Sequence, residues 1–277
     1  MAPIGSSLAI PKSDLEVLSQ YIDDETGRYR LRAGRRVHYL TISIDVFDDD
    51  TMCRPYLLIP QLPDIPDGAW TKMEVYRHAD GSLRSSISSE PLAAVEMLWH
   101  PRIVDVLSLK QTKRHRSGVH EVLFDSNRPA VAKIACFDFQ LPQIEDETHV
   151  YSIISQHQEA AVPPVAPAFL AHLAENGRVM GMLLEKLEGD YATIDDLPAC
   201  EEAVRRVHRM GMIHGDVNRY NFIVDRSKKC ARLVDFEHAS PYNETEALAE
   251  LQSLPAELVE ATGRGGTIIW KEPQTGT

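Results

Sequence analysis

No stretch of this sequence strings together the roughly 20 apolar residues that a membrane-crossing helix needs. Its start, Met1-Ala2-Pro3-Ile4-Gly5-Ser6-Ser7, carries neither a basic cluster nor a long apolar segment, so no secretory leader is expected. Basic charge is also short. Lys and Arg number 29 against 41 Asp and Glu, a formal net charge of -12. A surface of that sign repels the phosphates of nucleic acid and of anionic membranes, so neither is expected as a partner. A local basic pocket for a nucleotide stays compatible with it. Cysteine is sparse: Cys53, Cys136, Cys200 and Cys230 stand apart with no Cys-x-x-Cys pair, which argues against a zinc site or a disulfide framework. A reducing, cytoplasmic setting is the expectation. Internal repeats, low-complexity segments, a His-Glu-x-x-His helix and a Gly-x-Ser-x-Gly elbow are absent as well. What remains is a chain of 277 residues, 43% of them hydrophobic, enough for a sizeable core in one compact domain or two lobes.

Local patterning predicts a mixture of helices and strands. Leu15, Val17, Leu18 and Ile22 give a partly helical spacing over 14–23. Strands are predicted through Tyr29-Arg30-Leu31-Arg32 and 37–44, with a turn at Ala33-Gly34-Arg35. The prolines at 55, 60, 63 and 66 predict a surface loop, and Asp80-Gly81 a hairpin turn. Three strands follow at 104–109, 119–124 and 130–135, the last carrying Lys133. A helix is predicted from Leu141 to Gln156, with Val150, Ile153 and Ile154 on its apolar face. Two strands flank Asn176-Gly177 and lead into Glu185-Lys186-Leu187. Helices are predicted over 199–210, ended by Gly211, and over 244–261.

The densest chemistry lies in His214-Gly215-Asp216-Val217-Asn218-Arg219-Tyr220-Asn221, followed by apolar Phe222-Ile223-Val224, and in Leu233-Val234-Asp235-Phe236-Glu237. Two acids and one amide are thereby set on two short apolar strands joined by a polar turn. Phosphoryl transfer from ATP needs such a set: one carboxylate to orient and deprotonate the acceptor hydroxyl, and a carboxylate with an amide to hold Mg²⁺. Asn221 and Asp235 supply the hard oxygens that Mg²⁺ prefers. Asp235, between Val234 and Phe236, is costly to bury unless paired or metal-bound. Lys133 stands amid Val131, Ala132 and Ile134, where a lysine either snorkels at an edge or meets a partner. Glu147 and Glu145 compete for that partnership, and the helical phase of Glu147 with Tyr151 favours Glu147. The acidic run 45–50 lacks the glycine and distal glutamate of a calcium loop and reads as solvated. The basic run Lys113-Arg114-His115-Arg116 either faces a nucleotide's phosphates or forms a solvated hairpin tip; both readings stand.

These motifs resemble the catalytic and metal-binding loops of the protein-kinase-like superfamily, in its aminoglycoside-phosphotransferase-like branch. The resemblance covers roughly 104–261 and is strongest over 204–239. The opening hundred residues are similar, more loosely, to the N-terminal extension of fungal small-kinase-like proteins. The resemblance implies an α+β, two-lobed protein-kinase-like fold with a β-rich N-terminal extension. Residues 1–103 would be that extension, packed on an N-lobe at 104–185 whose sheet is five-stranded and antiparallel and includes Lys133. Residues 186–277 would be a short helical C-lobe. It implies Asp216 as the catalytic acid–base residue, Asn221 and Asp235 as Mg²⁺ ligands, and Lys133, directed by Glu147, on the phosphates of ATP. It places Glu185 and Leu187 at the nucleotide-binding hinge, and makes His214 a structural brace. ATP and Mg²⁺ are the implied cofactors. The implied acceptor is a hydroxyl on a small molecule, with protein Ser/Thr second.

Three departures stand out. Gly118 alone represents the glycines of a phosphate-covering loop, which reduces close backbone approach to phosphates. Glu237 replaces the glycine usual after Asp-Phe, and Asn218 stands where protein kinases carry a lysine. A catalytically impaired pseudokinase serving as a binding or scaffolding module, or a kinase fold recruited to non-phosphoryl chemistry, are the competing readings.

Overall fold

The computed structural model describes residues 9–158 and 162–264; the leader reading at Met1 to Ser7 and the last residues of the expected C-lobe lie outside them. The architecture is α+β, with four sheets and five helices among the described residues. No described helix is long and apolar enough to cross a membrane. The chain divides into two compact units. The first comprises residues up to Ala94 together with Cys136–Asp138 and Glu175–Arg178; the second holds the rest.

In the first unit, β1 (Leu15–Ile22), β2 (Thr26–Ala33) and β3 (Arg36–Ser43) form an antiparallel meander. The helices α1 (Asp49–Cys53) and α2 (Pro55–Gln61) follow, then β4 (Lys72–Arg77), parallel to β3, and β5 (Leu83–Ser88). Alternation along β2 and β3 drives this: Tyr29, Leu31, Leu40 and Ile42 point into a core completed by Met52, Leu58, Ile65, Met73 and Val75. Two expectations are corrected here. The segment at 14–23 is strand β1, not a helix. A bulge between Val17 and Ser19 inserts one residue, which shifts the apolar phase from Leu15 and Val17 to Ile22 and so imitates a helical spacing. The proline-rich stretch holds a helix because Pro55 sits in the first turn of α2, where a missing N–H costs nothing. Asp48 of the acidic run caps α1, its side chain accepting from Thr51 N at 2.8 Å.

The second unit begins with β6 (Ile103–Asp105), β7 (Lys110–Arg116), β8 (Val119–Phe124) and β9 (Arg128–Ile134), then α3 (Leu141–His157), β10 (Phe169–Glu175) and β11 (Arg178–Glu185), the last two less the hairpin end Glu175–Arg178. These strands make one sheet in the order β6-β10-β11-β9-β8-β7. It has six strands rather than five, because the short β6 adds parallel to β10. Beyond Asp105 the expected strand gives way to a 3-10 turn, capped by Asp105 through Leu107 N at 2.9 Å.

The remaining elements are β12 (Asp190–Tyr191), α4 (Leu197–Arg209), β13 (Met212–Ile213), β14 (Phe222–Asp225), β15 (Cys230–Leu233), β16 (Ser240–Pro241) and α5 (Glu244–Val259). Helix α4 buries Cys200, Ala203, Val204 and Val207, an i, i+3, i+4, i+7 stripe. Helix α5 is capped by Asn243 and buries Ala247, Glu250, Leu254 and Leu258. One continuous core runs from Val150, Tyr151 and Met182 to Phe222, Leu233, Phe236 and Leu254. It joins α3 and the six-stranded sheet to the loops between α4 and α5.

Candidate functional site

The loop from His214 to Asn221 is shaped by one glycine and a set of braces. Gly215 has φ +82°, and a Cβ there would lie 2.2 Å from the His238 carbonyl oxygen, so only glycine fits. Its N–H donates to Glu250 Oε1 at 2.7 Å. The carboxylate of Glu250 also accepts from His208 Nε2 at 2.7 Å. His214 is fully buried and receives the Asp216 N–H on Nδ1 at 3.3 Å. Its proton therefore sits on Nε2, which donates to the Val234 carbonyl at 3.1 Å. Burial holds the His214 pKa below the ordinary value, against the pull of Glu250. His214 is thus a neutral strut between the two motif segments.

The strut leaves Asp216 and Asn221 in direct contact. Asn221 Nδ2 donates to the Asp216 carbonyl at 2.8 Å and to Asp216 Oδ2 at 2.9 Å. Asn218 Nδ2 donates to the same Oδ2 at 2.9 Å, while its Oδ1 caps the following turn through Tyr220 N. Two amides therefore orient the Asp216 carboxylate and leave Oδ1 without a protein partner among the described residues. Asp216 faces a cavity of about 390 Å³ shared with Gly215, Asn218, His238 and Arg264.

Asp235 reaches the site by an unusual backbone. Its φ of +68° is left-handed, a conformation that costs a non-glycine residue of order 1–3 kcal/mol and persists only where surroundings impose it. The surroundings are visible. Val234 N donates to the Asn221 carbonyl at 2.9 Å, and Phe236, fully buried, packs tilted against His214 and edge-on to Tyr151, at 4.8 and 5.7 Å between ring centroids. Phe236 N donates to Glu147 Oε1 at 3.2 Å.

Lys133 is the hub. Its Nζ lies 2.7 and 2.8 Å from the two oxygens of Glu147 and 2.6 Å from Asp235 Oδ1. Burial works against its charge, but Glu147 and then Asp235 outweigh it and hold its pKa above the ordinary lysine value. Burial pushes the Glu147 carboxyl up against the attraction of Lys133. Asp235, half-buried, is held below the usual carboxylate value by Lys133 and Arg116 against the effect of burial. Glu145 is engaged elsewhere, accepting the backbone N–H groups of Glu96 and Met97. A second cation, Arg116 from the end of β7, places Nη2 at 3.0 and 3.1 Å from the Asp235 oxygens and at 3.1 Å from Glu237 Oε2.

Above this cluster opens a cleft of about 840 Å³. Its apolar walls come from Val119, Val131, Leu184, Ile223 and Val234; Lys133, Asn221 and Asp235 form its polar end. Glu185, Lys186 and Leu187 line it at the end of β11. The Glu185 carboxylate pairs with Arg232 Nη2 at 2.6 Å and accepts from Ala168 N at 3.0 Å. Burial notwithstanding, these bonds keep its pKa below the usual value. All seven predicted residues thus lie on one connected site, Glu147 and Asp216 behind its polar end and the rest on the cleft. No group of three or more His, Cys, Asp or Glu side chains is placed to hold a metal among the described residues. Asn221 and Asp235 line the same end of the cleft and carry the hard oxygen donors that Mg²⁺ prefers, with the Asp235 oxygens here engaged by Lys133 and Arg116. Glu250 escaped the sequence reading; its signal is an acid on the buried stripe of α5. No protein-family model and no curated protein matches this chain.

Proposed function

We propose that this chain is an ATP- and Mg²⁺-dependent phosphotransferase with a two-lobed, protein-kinase-like catalytic unit, acting on a hydroxyl of a small molecule. The observation that carries the reading is Lys133 bridging Glu147 and Asp235 at the end of an apolar cleft, next to the Asn221–Asp216 contact. The apolar walls suit a flat base, and the charged end suits phosphates. Lys133 engages the phosphates; Glu147 holds it in place. Asp216 offers Oδ1 to the acceptor hydroxyl, takes its proton as the oxygen attacks the γ-phosphorus, and ADP leaves with the electron pair of the broken bond. Asn221 and Asp235 would hold Mg²⁺, which when bound neutralises charge on the transferring phosphoryl group. The acidic net charge suits a small neutral or cationic acceptor better than a nucleic acid, in a cytoplasmic setting.

A second reading has its own observation. Arg116 covers both oxygens of Asp235, which favours a pseudokinase that binds without turning over. Labelled ATP offered with a metabolite extract and, separately, with mixed peptides separates them. Transfer to a metabolite is expected, falling about 10²–10⁴-fold in Asp216→Asn while ATP binding persists. Label in peptides alone refutes the small-molecule acceptor. ATP binding without transfer to either favours the pseudokinase.

A further inference from the structure

The β7–β8 turn lies between Arg116 and Val119, both on the cleft, and its one glycine is already committed. Gly118 has φ +73°, its carbonyl accepts from Ile134 N at 2.8 Å, and a Cβ there would lie 2.5 Å from the Ile134 carbonyl oxygen. The glycine therefore serves the turn's packing against β9. It does not give the backbone a flexible approach to a ligand, which is how glycine-rich loops cradle phosphates. Side chains of β7, just before the turn, reach the cleft instead: Lys113, His115 and Arg116 all line it. Glu121 takes up His115 at 2.9 Å and Lys186 at 2.9 Å. Arg116 alone reaches the acids at the cleft's polar end.

Its situation there is not that of a structural ion pair. Lys133 is almost fully buried between Glu147 and Asp235, whereas the Arg116 side chain is 45% exposed and open to solvent. Asp235 would keep Lys133 at 2.6 Å if Arg116 swung away. A guanidinium can exchange a carboxylate for a phosphate because both present paired oxygens to the same fork of N–H donors. We infer that Arg116 is the phosphate-gripping residue of this cleft. It rests on Asp235 and Glu237 when the cleft is empty and transfers its N–H donors to the polyphosphate of an incoming nucleoside triphosphate. The nucleotide part of this inference rests on the phosphotransferase reading; the anion part does not.

Isothermal titration calorimetry on the full chain with ATP, adenosine and inorganic tripolyphosphate, each with Mg²⁺, tests it in wild type, Arg116→Ala and Arg116→Lys. The expected result is a loss of about ten- to hundredfold in ATP affinity for Arg116→Ala, the size of one charge-assisted interaction. Arg116→Lys should lose less, and adenosine should bind all three alike, which also shows that the variants are folded. ATP bound as tightly or more tightly by Arg116→Ala overturns the inference alone, leaving Arg116 as a plug on Asp235. Tripolyphosphate binding that needs Arg116, without any binding of ATP or adenosine, keeps the anion site and sinks the nucleotide reading. A wild type that binds neither ATP nor tripolyphosphate overturns both.

Discussion

At the scale of single residues, the site is a set of polar groups whose cost of burial is met by particular partners. His214 is the clearest case. Burial keeps its imidazole neutral, with Nδ1 accepting and Nε2 donating. In the unfolded chain a histidine titrates near 6.5, so below that pH the unfolded state takes up a proton that the folded state refuses. Stability from this group is complete above about pH 6.5 and declines as the pH falls through the lower folded value. His38 and His172, both buried, are shifted in the same direction by the same cause. Urea unfolding between pH 7.5 and 5 should show a decline below 6.5, each histidine adding at most about 1.4 kcal/mol per pH unit. His214→Gln should make that slope shallower; an unchanged slope would refute the strut. Much of this residue chemistry was legible in the sequence, because Lys133 and Asp235 stand in apolar runs that tolerate charge only with a partner. The clamp of Arg116 on Asp235 was not, because it joins positions over a hundred residues apart and a basic run reads equally well as a solvated tip.

Among the elements, local pattern and observed structure part company where a pairing partner breaks the period. Strand β1 looks helical because its bulge adds one residue, and β6 is cut short because Asp105 caps a turn. The long amphipathic elements α3, α4 and α5 read correctly, since their stripes run for three turns or more. Helix α5 holds a further lesson. Its stripe of Ala247, Glu250, Leu254 and Leu258 contains an acid in a position that otherwise calls for an apolar side chain. Glu250 is there to receive Gly215 N and His208 Nε2, so α5 fixes the left-handed glycine of the loop that carries Asp216. Removing it leaves the Gly215 N–H and the nearly buried His208 side chain without their acceptor, which costs about 1–3 kcal/mol. Glu250→Ala should therefore lower stability by that amount in chemical denaturation. It should also raise amide exchange at Gly215 and Asp216 more than at β9 or β11. Uniform exchange across the unit would show that α5 supports the core and not the loop.

For the whole molecule, the division into units does not follow the order of the chain. The first unit draws on residues up to Ala94 and on two later stretches, Cys136–Asp138 and Glu175–Arg178. Glu175 explains why the last is needed. Its carboxylate is buried with Arg30, which donates through Nε at 2.7 Å, and with Tyr39, whose hydroxyl donates at 2.6 Å. Arg178 Nη2 donates to that same hydroxyl at 2.8 Å and lies over the Tyr39 ring. Arg30 sits on β2, in the middle of the sheet, and cannot reach water to shed its need for an anion. Without Glu175 it becomes a buried charge with no counter-ion, a loss of about 3–5 kcal/mol. That is a large part of the stability of any single domain. Residues 1–94 expressed alone should therefore fail to unfold cooperatively, although they contain every strand of the five-stranded sheet. In the full chain, Glu175→Gln should destabilise the first unit by a few kcal/mol, followed through the fluorescence of Trp70 with Trp99 and Trp270 replaced by Phe. Replacing Arg30 and Glu175 together by Met and Gln should recover part of the loss, because the uncompensated charge goes with the pair. A fragment 1–94 as stable as the same unit in the full chain would show that Glu175–Arg178 is dispensable to it.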